Sequence, residues 1–186
     1  TQSVSGDFSN ERNTLGMQGT GAIEMLAREM TAELLAIRED ALRIARETGR
    51  STRMALVTKD VDFGFIGANA DGTLVTREIV GVNSDLIVRP FHQKGAVISL
   101  REFTNNAMNH HHGIQSVERF GQARTNTKDF DQDGVEDELT VGDVTATTIY
   151  QAGLNVPGQV LPSDPAALRA VIRGERTFET VGCADC

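Results

Sequence analysis

The sequence has few cysteines and few aromatic residues, and both shortages limit the kinds of fold that it can adopt. Its 186 residues include two cysteines, both among the last four positions, so no disulfide framework links distant parts of the chain. Tryptophan is absent and aromatic residues make up 5%, so a core must be built mainly from aliphatic side chains. Hydrophobic residues still reach 39%, which is ordinary for a folded domain.

Two further absences exclude classes of partner. No cluster of lysine and arginine stands out and the formal net charge is −8, so we expect no nucleic-acid binding. No apolar run approaches the ~20 residues of a membrane-spanning helix, so we expect no membrane span. Nothing near Thr1 resembles a signal peptide, so we expect that a leader has been removed or that the sequence is a piece of a longer protein.

A long amphipathic helix is the clearest secondary-structure signal. Apolar residues between Ile23 and Ile44 recur at steps of three and four, which is the spacing of one helical face, and charged residues fill the opposite face. Thr20 is the predicted N-cap, and Gly49 is the predicted stop after the last turn. The pattern predicts a helix that packs one face against a core.

A change of period after this helix predicts a small β-meander. Apolar residues alternate with polar residues or glycine from Val61 to Phe65, residues 69–72 form a turn sequence, and residues 74–82 look extended. Residues 86–88 are a predicted third strand that ends at Pro90.

Three more helices are predicted towards the C-terminus. One covers residues 99–107, and another covers residues 144–154 after a capping-box sequence that starts at Thr140. The last follows Ser163 and is expected to break at Gly174. The chain is therefore predicted to be α+β and mainly helical, with the β-meander inside an N-terminal helical domain.

The most informative motif is the cysteine pair at the C-terminus, Cys183 and Cys186. Two intervening residues give the spacing at which a c-type haem forms its two thioethers, with the axial His directly after the second Cys. A thioredoxin-like redox pair, half of a zinc site and a plain disulfide share this spacing. A predicted helix precedes the pair and all histidines lie far upstream, which disfavours the redox pair and the zinc site.

The residues before this pair resemble the opening helix of a class I cytochrome c domain, in which a glycine permits close helix packing and an aromatic residue packs near the haem. They are Gly174, Phe178 and Gly182. Upstream blocks resemble the narrower di-haem oxidoreductase family of c-type cytochromes, whose members are called peroxidases or thiol oxidoreductases. These blocks are residues 27–31, 89–95, 99–103, 109–113 and 118–121.

The resemblance implies an intact protein with two c-type haems. Its partners would be an electron donor or acceptor protein, or a small oxidant such as a peroxide. The resemblance places residues 1–162 in an N-terminal domain and residues 163–186 in the start of a cytochrome c-like domain, and it implies that the sequence stops inside the first haem motif. Haem attachment and an acidic surface suit the periplasm or the cell exterior, where we expect the protein to work.

An acidic segment has the spacing of the first half of a calcium loop. Aspartates alternate with other residues and a glycine follows, where a sharp turn is needed. The predicted Ca²⁺ ligands are Asp129, Asp131, Asp133, the backbone carbonyl of Val135, and Asp137 directly or through water. The twelfth position is threonine rather than the bidentate glutamate of an EF-hand, so a solvated acidic turn without a cation is the alternative.

Three consecutive histidines, His110, His111 and His112, are the candidate catalytic residues. Imidazole ligates haem iron and acts as an acid or base near neutral pH. Because adjacent residues point in different directions, one or two of the three are candidates for the distal group over a haem. The cationic residues that flank this segment are candidate partners of haem propionates, with ordinary surface ion pairing as the alternative for each: Arg89, Lys94, Arg101 and Arg119. The alternative is three helix-end residues bonded to backbone carbonyls.

Two hypotheses from different classes follow. The first is an enzyme or electron-transfer protein of the di-haem oxidoreductase family. The second is a non-catalytic, calcium-stabilised extracellular module whose cysteine pair forms a disulfide. The residue encoded after Cys186 separates them, because only His there completes the haem motif.

Overall fold

The computed structural model describes residues 16–92 and 95–185. A 3-10 turn at Cys183–Asp185 follows the last helix. The prediction of a mainly helical α+β chain is confirmed. The helices and strands, in chain order, are α1 (Thr20–Thr48), β1 (Thr52–Thr58), β2 (Val61–Ala68), β3 (Leu74–Val75), α2 (Leu100–His112), α3 (Val117–Phe120), α4 (Gln122–Thr125), α5 (Val141–Ala152) and α6 (Pro165–Thr180).

Helix α1 carries the apolar face that its sequence predicts. Gly49 ends it with a left-handed φ of 64°, which glycine adopts at little cost, so the predicted stop is confirmed. The predicted N-cap is wrong by one residue, because Gly19 caps the helix. Thr20 is the first helical residue, and its hydroxyl donates to the Met17 carbonyl at 2.8 Å.

The sheet is antiparallel with the order β1-β2-β3, so the predicted β-meander is confirmed. Lys59 and Asp60 join β1 to β2, and both have positive φ, as a tight hairpin turn requires. The main core lies between α1 and this sheet. Its largest fully buried side chains are Leu34, Leu56, Ile66 and Leu86.

The predicted third strand at residues 86–88 is wrong. The third strand is Leu74–Val75. It is shorter than the extended stretch that the sequence predicts for residues 74–82. Leu86 has a φ of 61° and is fully buried, and a residue in the left-handed region interrupts the extended backbone that a strand needs. The Val88 N–H donates instead to the Thr31 hydroxyl of α1 at 3.0 Å.

Helices α2 and α5 pack on each other and on the start of α1. The buried Thr104 hydroxyl donates to Gln151 Oε1 at 2.9 Å, which joins α2 to α5. The Gly19 N–H donates to the Leu154 carbonyl at 3.0 Å, which ties the start of α1 to the end of α5. The predicted capping box at the start of α5 is confirmed, because Thr140 and Asp143 exchange the expected bonds.

The chain divides into two compact units, Thr1–Asn155 and Val156–Cys186. The sequence places the division somewhat later, before Ser163, and both positions fall in the connection between α5 and α6. In the described residues, no helix is both long enough and apolar enough to cross a membrane.

Helix α6 differs from its prediction at both ends. Asp164 rather than Ser163 is the N-cap, and its carboxylate accepts the Ala167 N–H at 2.7 Å. The predicted break at Gly174 is wrong, because the helix continues to Thr180. A single glycine costs a helix only about 1 kcal/mol relative to alanine, and the helical residues on both sides outweigh that cost.

Candidate functional site

The acidic segment forms a loop between α4 and α5 that gathers three carboxylates. One carboxylate oxygen from each of Asp129, Asp131 and Asp133 lies within 4.8 Å of the other two. Across residues 16–92 and 95–185, no other group of three or more acidic, histidine or cysteine side chains meets this distance. The alternate spacing in the sequence therefore does place these three side chains together.

Backbone N–H groups orient two of the three carboxylates. Asp129 accepts the Asp133 N–H at 3.2 Å and the Gly134 N–H at 3.0 Å, one with each oxygen. Asp133 accepts the Val135 N–H at 2.8 Å. Gly134 has a φ of 93°, which residues with a side chain rarely adopt. A carboxylate oxygen with one hydrogen bond keeps a second lone pair, so these oxygens remain able to ligate a cation.

The other two predicted ligands have different surroundings. The Asp137 N–H donates to the Lys128 carbonyl at 3.1 Å, and the Asp137 carboxylate lies 3.8 Å from the Lys128 ammonium nitrogen. Val135 contributes its N–H to the bond with Asp133, and its side chain is exposed. The structure thus brings three of the four predicted carboxylate ligands into one group, and it places Asp137 beside a cationic side chain.

Charge repulsion within the loop favours the binding of a cation. Six carboxylates occur between Lys128 and Glu138, and this stretch contains one positively charged side chain. Like charges at such short distances repel each other, and a bound divalent cation removes that repulsion. Ca²⁺ is the ion that best suits ligands made only of carboxylate and carbonyl oxygens.

The loop is attached to α3 and to the residues before it. The rings of Phe120 and Phe130 lie 5.4 Å apart, and Phe130 stands between two of the three clustered aspartates in the sequence. The Val117 N–H donates to the Leu139 carbonyl at 2.9 Å. These contacts hold both the middle and the end of the loop, so loss of order in the loop would also affect α3.

The three histidines occupy the last turn of α2, and all three are exposed. Helix α2 extends beyond its predicted end at residue 107, and Gly113 closes it with a φ of 81° and an N–H bond to the Asn109 carbonyl at 3.2 Å. His110, His111 and His112 are therefore accessible to solvent, which suits either a proton-transfer role or a purely structural one.

A polar network between α2, α3 and α5 is a feature that the sequence does not predict. Arg101 forms an ion pair with Glu118, and its Nη1 donates to the Thr145 hydroxyl at 2.9 Å. The buried Asn105 donates to Glu118 Oε2 at 3.0 Å and accepts a short hydrogen bond from the buried Ser116 hydroxyl. Arg101, a candidate partner of haem propionates, thus has protein partners in this structure.

The same network lowers the pKa of Glu118. Burial raises the pKa of this carboxyl, but the hydrogen bonds from Arg101 and Asn105 outweigh burial, so the pKa falls below 4.5. The ionised form of Glu118 is thus favoured in the folded state. Its contribution to stability is complete above pH 4.5 and is lost as the pH falls through the lower folded-state pKa.

We expect Glu118→Gln to be less stable than wild type by about 1–2 kcal/mol at pH 7, because a charge-assisted hydrogen bond is lost. The difference should shrink as the pH falls below 4.5. Urea unfolding of both proteins from pH 7 to pH 3 measures this. Glu175→Gln, on the exposed surface of α6, is the control and should track wild type throughout. A gap that stays constant with pH would show that ionisation of Glu118 is not the cause.

Cys183 lies in the 3-10 turn after α6, and its thiol is free and exposed. Its predicted partner, Cys186, lies outside the described residues. Helix α6 has no buried residue, although it carries several apolar side chains. Phe178 is 55% exposed and Val181 is 65% exposed, just before the cysteine. The free thiol therefore follows an uncovered apolar surface.

Comparison with known proteins finds no family model, no curated protein and no solved structure that matches this chain.

Proposed function

We propose that the protein is a c-type di-haem oxidoreductase that works in the periplasm or at the cell exterior. The observation that supports this most is the exposed thiol of Cys183 beside the uncovered apolar surface of α6. These residues fit a covalently held haem, because Cys183 and Cys186 would form the thioethers and the exposed apolar side chains of Phe178 and Val181 would cover part of the ring. The haem would supply one-electron redox chemistry.

The histidine triplet is our candidate for the catalytic group, with an electron donor or acceptor protein or a small oxidant as the partner. All three imidazoles are exposed to solvent, and an imidazole side chain can accept or release a proton. A histidine over a haem would take up or release a proton as the oxidant is reduced.

We expect one of His110→Ala, His111→Ala and His112→Ala to change the haem absorption spectrum or the activity of the full-length protein while covalent haem stays in place. The reason is that one imidazole of the three faces the haem in this proposal. Spectra of each variant in both oxidation states test it. Three spectra like that of wild type, with unchanged activity, would return the triplet to a structural role at the end of α2.

The gene itself offers the first test of the proposal. We expect His to be encoded directly after Cys186 and a second Cys-x-x-Cys-His motif to follow downstream. An export signal should precede Thr1 in the same reading frame. Any other residue after Cys186 would exclude thioether attachment in the usual motif. That outcome would favour the second candidate function, a non-catalytic module stabilised by Ca²⁺.

We further propose that the acidic loop binds Ca²⁺. This proposal is independent of the choice between the two candidate functions. The support is the group formed by Asp129, Asp131 and Asp133 and the backbone bonds that orient two of them. Oriented carboxylates bind a cation more tightly, since less conformational entropy is lost on binding. The ion would stabilise the loop and, through Phe130, its contact with α3.

We expect millimolar Ca²⁺ to raise the melting temperature of the wild type by roughly 5–10 °C, which corresponds to about 2–3 kcal/mol at a hundredfold excess over Kd. Asp131→Ala should lose most of this rise and should resemble wild type in the presence of a chelator. Glu136→Gln is the matched control. It removes one negative charge from the same loop, beside Lys128 and outside the aspartate group, so it should keep the rise.

Thermal unfolding with Ca²⁺, with Mg²⁺ and with chelator measures these shifts. If Ca²⁺ does not change the melting temperature of the wild type, the segment is a solvated acidic turn and the proposal is wrong. Equal losses in Asp131→Ala and Glu136→Gln would indicate an effect of net charge and not of ligation.

A further inference from the structure

The connection between α5 and α6 differs from the other loops of the described chain in its lack of hydrogen bonds. Residues 153–164 contain no helix or strand. Within them, residues 155–163 make no hydrogen bond to any part of the chain that the structure describes. Both neighbours are held, because Leu154 accepts the Gly19 N–H and Asp164 caps α6. We call residues 155–163 the connecting segment.

The connecting segment also exposes apolar side chains. Val156 is 69% exposed, Val160 is 92% exposed and Leu161 is 56% exposed. Val160 is the most exposed large apolar side chain among the described residues. An exposed stretch without hydrogen bonds requires little free energy to adopt the conformation that another protein imposes on it.

We propose that the connecting segment is a proteolytic processing site, cut before Val160 or before Leu161 by an endoprotease whose specificity pocket takes apolar side chains. The reaction adds water across one amide bond and leaves a carboxylate and an amine. A protease must bind several residues around the bond in an extended form, and here no hydrogen bond to residues 16–92 or 95–185 has to break first. Pro162 disfavours cleavage after Leu161, because its nitrogen belongs to a ring.

Other exposed loops are better protected. The acidic loop is crossed by the bonds from Asp129 to the backbone of Asp133 and Gly134. The turn at residues 69–73 closes with two backbone bonds and with two bonds that the Asp71 carboxylate accepts from Thr73. Local opening must therefore precede a cut in either loop, which lowers the rate of cleavage there.

The position of the cut gives it a consequence for the whole chain. It would leave the acidic loop and the histidine triplet on one product and Cys183 on the other. The inference depends on neither haem nor Ca²⁺, since it follows from the exposure and bonding of the connecting segment alone.

Limited digestion with thermolysin, which cleaves before apolar residues, tests the proposal on the full chain. We expect intact-mass measurements to show the first cut between residues 16 and 185 before Val160 or Leu161. It should be about tenfold faster than any other cut in that range, because the competing sites need local opening. The double variant Val160→Asp and Leu161→Asp should slow it by a similar factor without changing the melting temperature.

Ile149→Asp is the matched control, because Ile149 is 67% exposed but lies inside α5. Its first cut should match that of wild type in site and rate. A first cut at any other bond in this range overturns the proposal, and so does an unchanged rate in the double variant. Thermal unfolding of the double variant excludes a change in global stability as the cause of slower cutting.

Discussion

Leu34→Ala is expected to lower the melting temperature by roughly 10 °C. Leu34 is 0% exposed and lies in the centre of the core between α1 and the sheet. Truncation of a buried leucine costs about 2–5 kcal/mol, from lost transfer free energy and from the cavity that remains. Each kcal/mol corresponds to about 2–4 °C in a domain of this size.

Leu26→Ala provides the matched control on the same helix. Leu26 is 46% exposed, so its truncation removes the same atoms but leaves no enclosed cavity. We expect a cost below about 1 kcal/mol, measured by the same thermal and urea unfolding curves. Similar shifts for the two variants would mean that α1 does not present the face containing Leu34 to the core.

Gly21→Ala is expected to destabilise the protein by about 2 kcal/mol, although alanine is the better helix former. A Cβ at this position would lie 2.3 Å from the carbonyl oxygen of Ala152, a backbone atom that can move only if α5 moves. Forcing extra atoms into such a contact costs about 1–3 kcal/mol, which exceeds the helix propensity that is gained. The effect tests the close approach of α1 and α5.

Gly174→Ala is the control with the opposite expected sign. Gly174 lies inside α6, and an added Cβ would meet nothing within 4 Å. Alanine should therefore stabilise α6 by up to about 1 kcal/mol, seen as increased helicity in circular dichroism. If Gly21→Ala were as stable as wild type, the packing of α1 on α5 would have to be looser than described.

The sequence predicts the helices and caps that are determined by residues close together along the chain. Helix α1 shows a complete apolar face and ends at a glycine whose positive φ its position requires. The capping box at Thr140 is also visible in four consecutive residues. Such features depend on neighbours within a few positions, so no knowledge of the tertiary structure is needed to find them.

Other features depend on contacts between distant residues. Residues 86–88 look like a strand, but Leu86 packs into the core with a left-handed φ, which interrupts the extended backbone there. The pairing of Arg101 with Glu118 joins two helices, and no sequence pattern indicates it. The helix around Gly174 continues because its cap and the turns on each side outweigh one poor helix former.

The candidate sites also contain both kinds of feature, those predicted from local spacing and those that depend on distant residues. Alternation of Asp129, Asp131 and Asp133 around a tight turn is a local signal, and the three carboxylates do lie together. The surroundings of Asp137 depend on Lys128, at the opposite end of the loop, so its spacing alone does not define its contacts. Covalent haem attachment through Cys183 and Cys186 stays a prediction.

Covalent haem content is the measurement that tests the central proposal most directly. The full gene would be expressed in a bacterial host that attaches c-type haems, and the purified protein would be denatured to release any haem that is not covalently bound. We expect haem absorbance to remain with the wild-type polypeptide and with His111→Ala, which keeps both cysteines. Cys183→Ala should lose one thioether of the first haem and shift the part of the absorbance that comes from it, while the second haem stays attached. A wild-type protein that is folded but free of covalent haem, with Cys183 still reactive towards thiol reagents, would contradict the proposal.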